Sequence, residues 1–301
     1  MVFETQQRTK EFYQEERREA TEKAYQKAQE TFEKHAISFD DFPRYSQSMK
    51  EDHRAKVESL KAKFQEQRPF LKWTEMKGKI LEAIIFQHGE LSNWFGENAS
   101  TIKTNDWDDF VNGIDIVVEF GPDEESASHH HLALGIDATF SKRELEHKLS
   151  EIIKKIQRGS LPTITYFHSE ETDYTGELRQ VPTIIIAADE KSIDGLTDLW
   201  MSSQNSELAR HPFQLQILYE AQEQINFFIE YAKHLQETGF NPQVNYQAII
   251  AKYQQALARI NKILKNKENQ TSPIKEPSDS SAAALSATII ALRKKLKKEG
   301  L

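Results

Sequence analysis

Two short apolar runs within residues 112–142 share a tripeptide: Gly113-Ile114-Asp115 opens the first, and Gly135-Ile136-Asp137 closes the second. Ile114, Ile116, Val118 and Phe120 alternate with Asp115, Val117 and Glu119, while Leu132, Leu134 and Ile136 alternate with Ala133, Gly135 and Asp137. A period of two over β-branched residues predicts strands. Residues 121–130 between the runs are polar and begin with Gly-Pro, which is turn chemistry and predicts a hairpin with a long loop. An antiparallel hairpin sets the start of one strand beside the end of the next, so Asp115 and Asp137 are expected as cross-strand neighbours. Adjacent carboxylates repel each other. A divalent cation such as Mg²⁺, which prefers carboxylate oxygens, would relieve that repulsion. Solvation at the strand ends, or bonds to nearby backbone, would relieve it too.

On either side of this hairpin the pattern is helical. Residues 5–36 are rich in Glu, Lys, Gln and Ala without Gly or Pro, which favours a long helix with a thin stripe of Ala20, Ala24, Ala28 and Phe32. Tyr45, Met49, Val57, Leu60 and Phe64 mark a second helix, ended by Arg68-Pro69. The two are expected as an antiparallel pair or as an arm laid against the rest. Residues 73–88 carry a broad apolar face of Ile80, Leu81, Ile84, Ile85 and Phe86, with Glu82 beside it. Residues 142–158 read as an amphipathic helix, and 161–167 and 181–187 as two further strands. Beyond His211-Pro212, Leu218, Ala221, Ile225, Phe228, Ala232 and Leu235, then Ile249, Tyr253, Ala256, Ile260 and Ile263, recur at heptad-like steps, the sign of a helical hairpin or coiled coil. The expected organisation is a helical arm over 1–68, an α/β domain over 69–211, a helical hairpin over 212–265, a flexible linker over 266–284 and a basic amphipathic tail helix over 285–301.

Charge sharpens the division. Of a net −8, residues 69–211 hold 13 basic against 25 acidic side chains, a net −12, together with all four tryptophans. That acidic block repels nucleic acid unless cations or other segments offset it. The tail answers with Arg293, Lys294, Lys295, Lys297 and Lys298 on a free-moving helix, a surface for nucleic acid or a protein partner in preference to membrane, or else a solubilising disordered tail. Zero cysteines exclude disulfides, thiolate catalysis and cysteine-bound zinc. No apolar run suits a membrane span or a signal segment, so a soluble, cytoplasmic chain is expected. His129-His130-His131 invites a metal reading, but adjacent residues in a strand point to opposite faces, and the three sit at the far end of the hairpin from the aspartates. Phosphate-loop, nucleophile-elbow and zincin motifs are missing.

Helix, short strand, two-stranded hairpin, helix, strand is an αβββαβ order, with one acid at the start of its second strand and another at the end of its third. In this, residues 73–187 resemble the PD-(D/E)XK nuclease superfamily. The resemblance implies a restriction-endonuclease-like α/β core flanked by the N-terminal helices and the C-terminal hairpin. It implies that Asp115 and Asp137 are metal-binding catalytic carboxylates, that Glu82 is the acid contributed by the first helix, and that Mg²⁺ or Mn²⁺ is the cofactor. The motif lysine is replaced by Thr139. A lysine from the following helix, Lys142 in the first place or Lys148, is expected to stand in. The expected function is metal-dependent phosphodiester hydrolysis of nucleic acid, or that of a catalytically inactive relative. The alternative is a non-enzymatic assembly protein that meets a protein partner, or itself, through its helices, with the α/β block as a structural domain.

Overall fold

A computed structural model of the chain describes the backbone of residues 2–67, 72–121, 132–140, 142–169, 171–268 and 279–298; side chains are described within 15–63, 72–121, 133–140, 144–169, 171–268 and 279–296. In chain order the elements are α1 (Val2–Lys34), α2 (Gln47–Gln67), α3 (Lys72–Leu91), β1 (Ala99–Lys103), β2 (Ile116–Phe120), β3 (Leu132–Thr139), α4 (Lys142–Gln157), β4 (Ile164–His168), β5 (Thr175–Leu178), β6 (Thr183–Ala187), α5 (Glu190–Met201), α6 (Asn205–Leu208), α7 (Phe213–Glu237), α8 (Tyr246–Glu268) and α9 (Ser280–Lys298). The class is mixed α/β, as the periodicities predict. His129, His130, His131 and the side chain of Lys142 lie outside the described residues, as do residues 269–278 of the expected linker.

Four strands form the sheet in the order β1-β2-β3-β6. The first three are antiparallel, and β6 lies parallel to β3. Ile116 pairs with Ile136, and the N–H of Asp115 donates to the Ile136 carbonyl at 2.9 Å, so the ladder carries on one step and sets Asp115 beside Asp137. Of the two later strands expected, only β6 joins this sheet. The other, β4, pairs with β5 in a separate hairpin closed by the polar turn before Tyr174. Strand β5, Thr-Gly-Glu-Leu, is too short and too mixed to announce itself.

The hairpin β4-β5 also changes the burial expected from alternation. Ile116, Val118, Phe120, Leu134 and Ile136 join the large core made with the helices, while Val117, Ala133 and Ile114 pack with Ile164, Phe167 and Val181 in a second, smaller core. Both faces of the sheet are therefore dry, and β2 and β6 are buried along their whole length.

The segments flanking the sheet share its core. Helix α1 packs along α3 with Ala24 and Ala28 fully buried, and it is tied to α5 by Arg17, which reaches Asp194 at 2.9 Å and Asp198 at 2.6 Å. Of the two arrangements expected for the N-terminal helices, the arm laid against the rest describes α1. Helix α7 covers the outer side of β6: the Gln224 side chain accepts from the Ile185 N–H at 2.9 Å and donates to the Ile185 carbonyl at 2.7 Å, and Glu220 accepts from the Ala187 N–H. A sheet edge that would otherwise offer free backbone groups is thus sealed by side chains.

The roaming tail is corrected. Helix α9 begins at Ser280, with Leu285 and Ile289 buried in the large core and Arg293 bonded to Glu230 at 2.8 Å. Its start is anchored by exchanged caps. Asp279 accepts from the Asp189 N–H at the head of α5, and Asp189 accepts from the Ser280 N–H at 2.7 Å. Among the described residues no helix is long and apolar enough to cross a membrane.

Candidate metal centre

The site gathers where β1 and β3 end and β2 begins, against α3 and α4. A single π-helical turn, Asp108–Asn112, leads into β2 and is closed by Gly113 at φ 69°, a left-handed conformation that glycine adopts without strain. Its first residue is an anchor. The fully buried Asp108 carboxylate accepts from the Thr165 N–H at 2.8 Å, the Tyr166 N–H at 2.9 Å and the Asn112 amide at 2.7 Å, pinning the turn to β4. Burial pushes Asp108 up to about 6 despite those three donors. From outside, α2 braces the same turn: His53 stacks on Trp107 with ring centres 3.5 Å apart, and Lys61 bonds Asp106 at 2.9 Å. With Asp108 held on one side, its neighbour Asp109 is directed to the other, towards α3.

There Glu82 of α3, Asp109 of the turn and Asp115 at the head of β2 offer carboxylate oxygens that all lie within 4.8 Å of one another. Lysines thread between them. Lys79, one helical turn before Glu82, meets Glu82 Oε2 at 2.6 Å and Asp109 Oδ2 at 3.3 Å. Lys103 at the end of β1 meets Asp109 Oδ2 at 2.8 Å and donates to the Asp115 carbonyl at 3.0 Å. Asp115 Oδ2 accepts from the Ala138 N–H at 2.8 Å, so part of its charge is met by backbone. Phe32 of α1 lies over both lysines, its ring centre 5.4 Å from each ammonium.

Asp137 stands beside this trio and is not one of its three members. Lys148, reaching back from α4, forms an ion pair with Asp137 Oδ1 and donates to the Ala138 carbonyl at 2.9 Å. Of the two lysines expected from α4, Lys148 meets the carboxylate, while the side chain of Lys142 lies outside the described residues; Thr139 is buried. Sequence reasoning brought Glu82, Asp115 and Asp137 to one corner and missed Asp109, Lys79 and Lys103. A run of aspartates just before a strand was the available signal for Asp109. The Lys79-Glu82 spacing of three on a helix was the signal for Lys79.

The electrostatics follow from burial and crowding. Asp115 is pushed up, first by burial and then by the charges of Glu82 and Asp109, with Lys148 and Lys79 working the other way. Burial acts on neighbouring Asp109 as well, but Lys103 and Lys79 outweigh it and hold that carboxyl well below the usual carboxylate range. Burial lifts Asp137 to about 7 against the pull of Lys148. Burial opposes the charge on Lys148, yet Asp137 and Asp115 keep its ammonium above the usual lysine range.

The donor set suits a small divalent cation. With Mg–O distances of about 2.1 Å, neighbouring ligand atoms sit roughly 3 Å apart and opposite ones roughly 4.2 Å, so oxygens grouped within 4.8 Å would have to draw in by up to roughly 2 Å to share one ion. Protein-family models, curated proteins and solved structures contain no match to this chain.

Proposed function

We propose that the chain is a Mg²⁺- or Mn²⁺-dependent nuclease of the PD-(D/E)XK kind, hydrolysing phosphodiesters in nucleic acid. The observation that carries this reading is the Lys148-Asp137 ion pair beside Asp115, because it supplies the lysine that Thr139 cannot. Glu82, Asp109 and Asp115 are the residues that would hold the ion. When bound, the ion would supply Lewis-acid stabilisation of phosphoryl charge and a water acidified towards neutrality. Asp137, with its carboxyl poised at about 7, can take a proton from an attacking water at Oδ2, the oxygen that Lys148 does not hold. Lys148 keeps that carboxylate oriented and offers a fixed positive charge to a phosphate. Lys103 holds Asp109 charged and in place. The same reading puts the chain in the cytoplasm, with nucleic acid as its partner.

A second reading has its own observation: lysines already neutralise much of the carboxylate charge, as in a structural network within a non-enzymatic, helix-rich assembly protein. One assay separates the two. Single- and double-stranded DNA and RNA are incubated with the purified chain and Mg²⁺ or Mn²⁺, beside Asp115→Ala, Asp137→Ala and Lys148→Ala variants checked for folding by circular dichroism. The nuclease reading expects cleavage that stops on chelation and falls by roughly 10²–10⁴-fold in the Asp137 and Lys148 variants, the usual worth of a positioned acid-base group. Failure to cut any of these nucleic acids, or full activity in both aspartate variants, overturns it in favour of the network.

A further inference from the structure

Lys79 occupies an unusual place among the site's cations. Its ammonium lies 2.6 Å from Glu82 Oε2 and 3.3 Å from Asp109 Oδ2, and those two residues supply two of the three oxygens that would hold a metal ion. The other lysines sit at the margin. Lys103 touches Asp109 alone among the trio's carboxylates, and Lys148 bonds Asp137, outside the trio. We propose that Lys79 is a built-in cation that holds the carboxylate trio together while no metal is bound, competes with the metal for Glu82 and Asp109, and swings aside when the metal enters. This rests on the metal-centre reading and adds a residue that the reading does not need.

Two features of its surroundings fit that role. The side chain is 30% exposed, against 8% for Lys103, so it has a path out of the cluster towards solvent. The Phe32 ring, 5.4 Å from the ammonium, offers a face on which a displaced cation retains a favourable partner. An incoming metal therefore has to displace an ammonium that already meets two of the three carboxylates.

The test is metal binding itself, read by titration calorimetry and by Mn²⁺ electron paramagnetic resonance on the full chain, with thermal melts alongside. Wild type is compared with Lys79→Met, with Lys79→Gln as a second variant in case Met disturbs folding, and with Asp115→Asn. Removing the competitor is expected to tighten Mn²⁺ and Mg²⁺ binding by at least roughly tenfold, a modest share of a close charge-charge contact in a partly buried site. The metal-free Lys79 variants should melt below wild type and gain more from added metal. Asp115→Asn should weaken binding in every background. Equal or weaker metal affinity in folded Lys79 variants, with binding still lost in Asp115→Asn, overturns the role of Lys79 and leaves the metal centre standing. Binding absent from wild type and both Lys79 variants alike overturns the metal centre and the Lys79 role together.

Discussion

Glu220 is a buried carboxylate and Asp109 a half-buried one, and they differ in what faces them. Asp109 has two lysines and is held charged. Glu220 has the Gln216 amide and the Ala187 N–H, and burial lifts it to about 8. Between the ordinary glutamate range near 4.5 and about 8, the folded chain keeps a proton that the unfolded chain has released, so stability falls as pH rises through that window and levels off above it. Glu220→Gln keeps an acceptor for Ala187 and removes the titration. It is expected to stabilise the protein by roughly 1–3 kcal/mol near pH 8 and hardly at all near pH 4.5, as read from thermal melts across pH. A stability difference that does not vary with pH would show that Glu220 is not the group that titrates. At this scale the sequence was legible wherever a residue's role follows from its position in a strand, as for Asp115 and Asp137. It was silent where the role depends on which long side chain reaches back. Lys142 and Lys148 both lie on α4, and only the packing of that helix shows Lys148 meeting Asp137.

Among the elements, α9 departs furthest from expectation. Its leucine and isoleucine stripe reads equally as a docking face or as one side of a loose basic helix. Contact with α4, α7 and β6, and the exchanged caps of Asp189 and Asp279, make it part of the core. Ile289 is fully buried there. Ile289→Ala is expected to cost about 2–4 kcal/mol in denaturant unfolding, the ordinary price of truncating a core isoleucine. A free tail would give no change, and that outcome would detach α9 from the core. The β4-β5 hairpin was equally hard to foresee, because β5 has no alternation of its own and is held by pairing with β4 and by the second core.

For the molecule as a whole, the charge division between segments does not mark a physical division. Residues of α1, the sheet, α4, α7, α8 and α9 belong to one buried cluster. Trp94, within the acidic block, packs its ring 5.9 Å from Phe213 at the start of α7 and bonds the Leu208 carbonyl at 3.0 Å, while Arg259 of α8 donates to the Gly121 carbonyl at 3.2 Å. Elements that share a core lose it together. Calorimetry is expected to show a single transition over residues 1–301 with equal calorimetric and van't Hoff enthalpies. Two resolved transitions would mean that the helical hairpin folds apart from the α/β block.

Periodicity alone determined the mixed α/β class, the β2-β3 hairpin, the Asp115-Asp137 juxtaposition and the α7-α8 pair, because each depends on repeats within a few residues that local geometry reads directly. Tertiary structure decided the rest: that both sheet faces are covered, that α9 is docked, that Asp109 and Lys79 join Glu82 and Asp115, and that Lys148 pairs with Asp137. Those outcomes turn on which surfaces meet across long stretches of chain, and on how far flexible lysine side chains extend once they do, neither of which leaves a periodic trace in the order of residues.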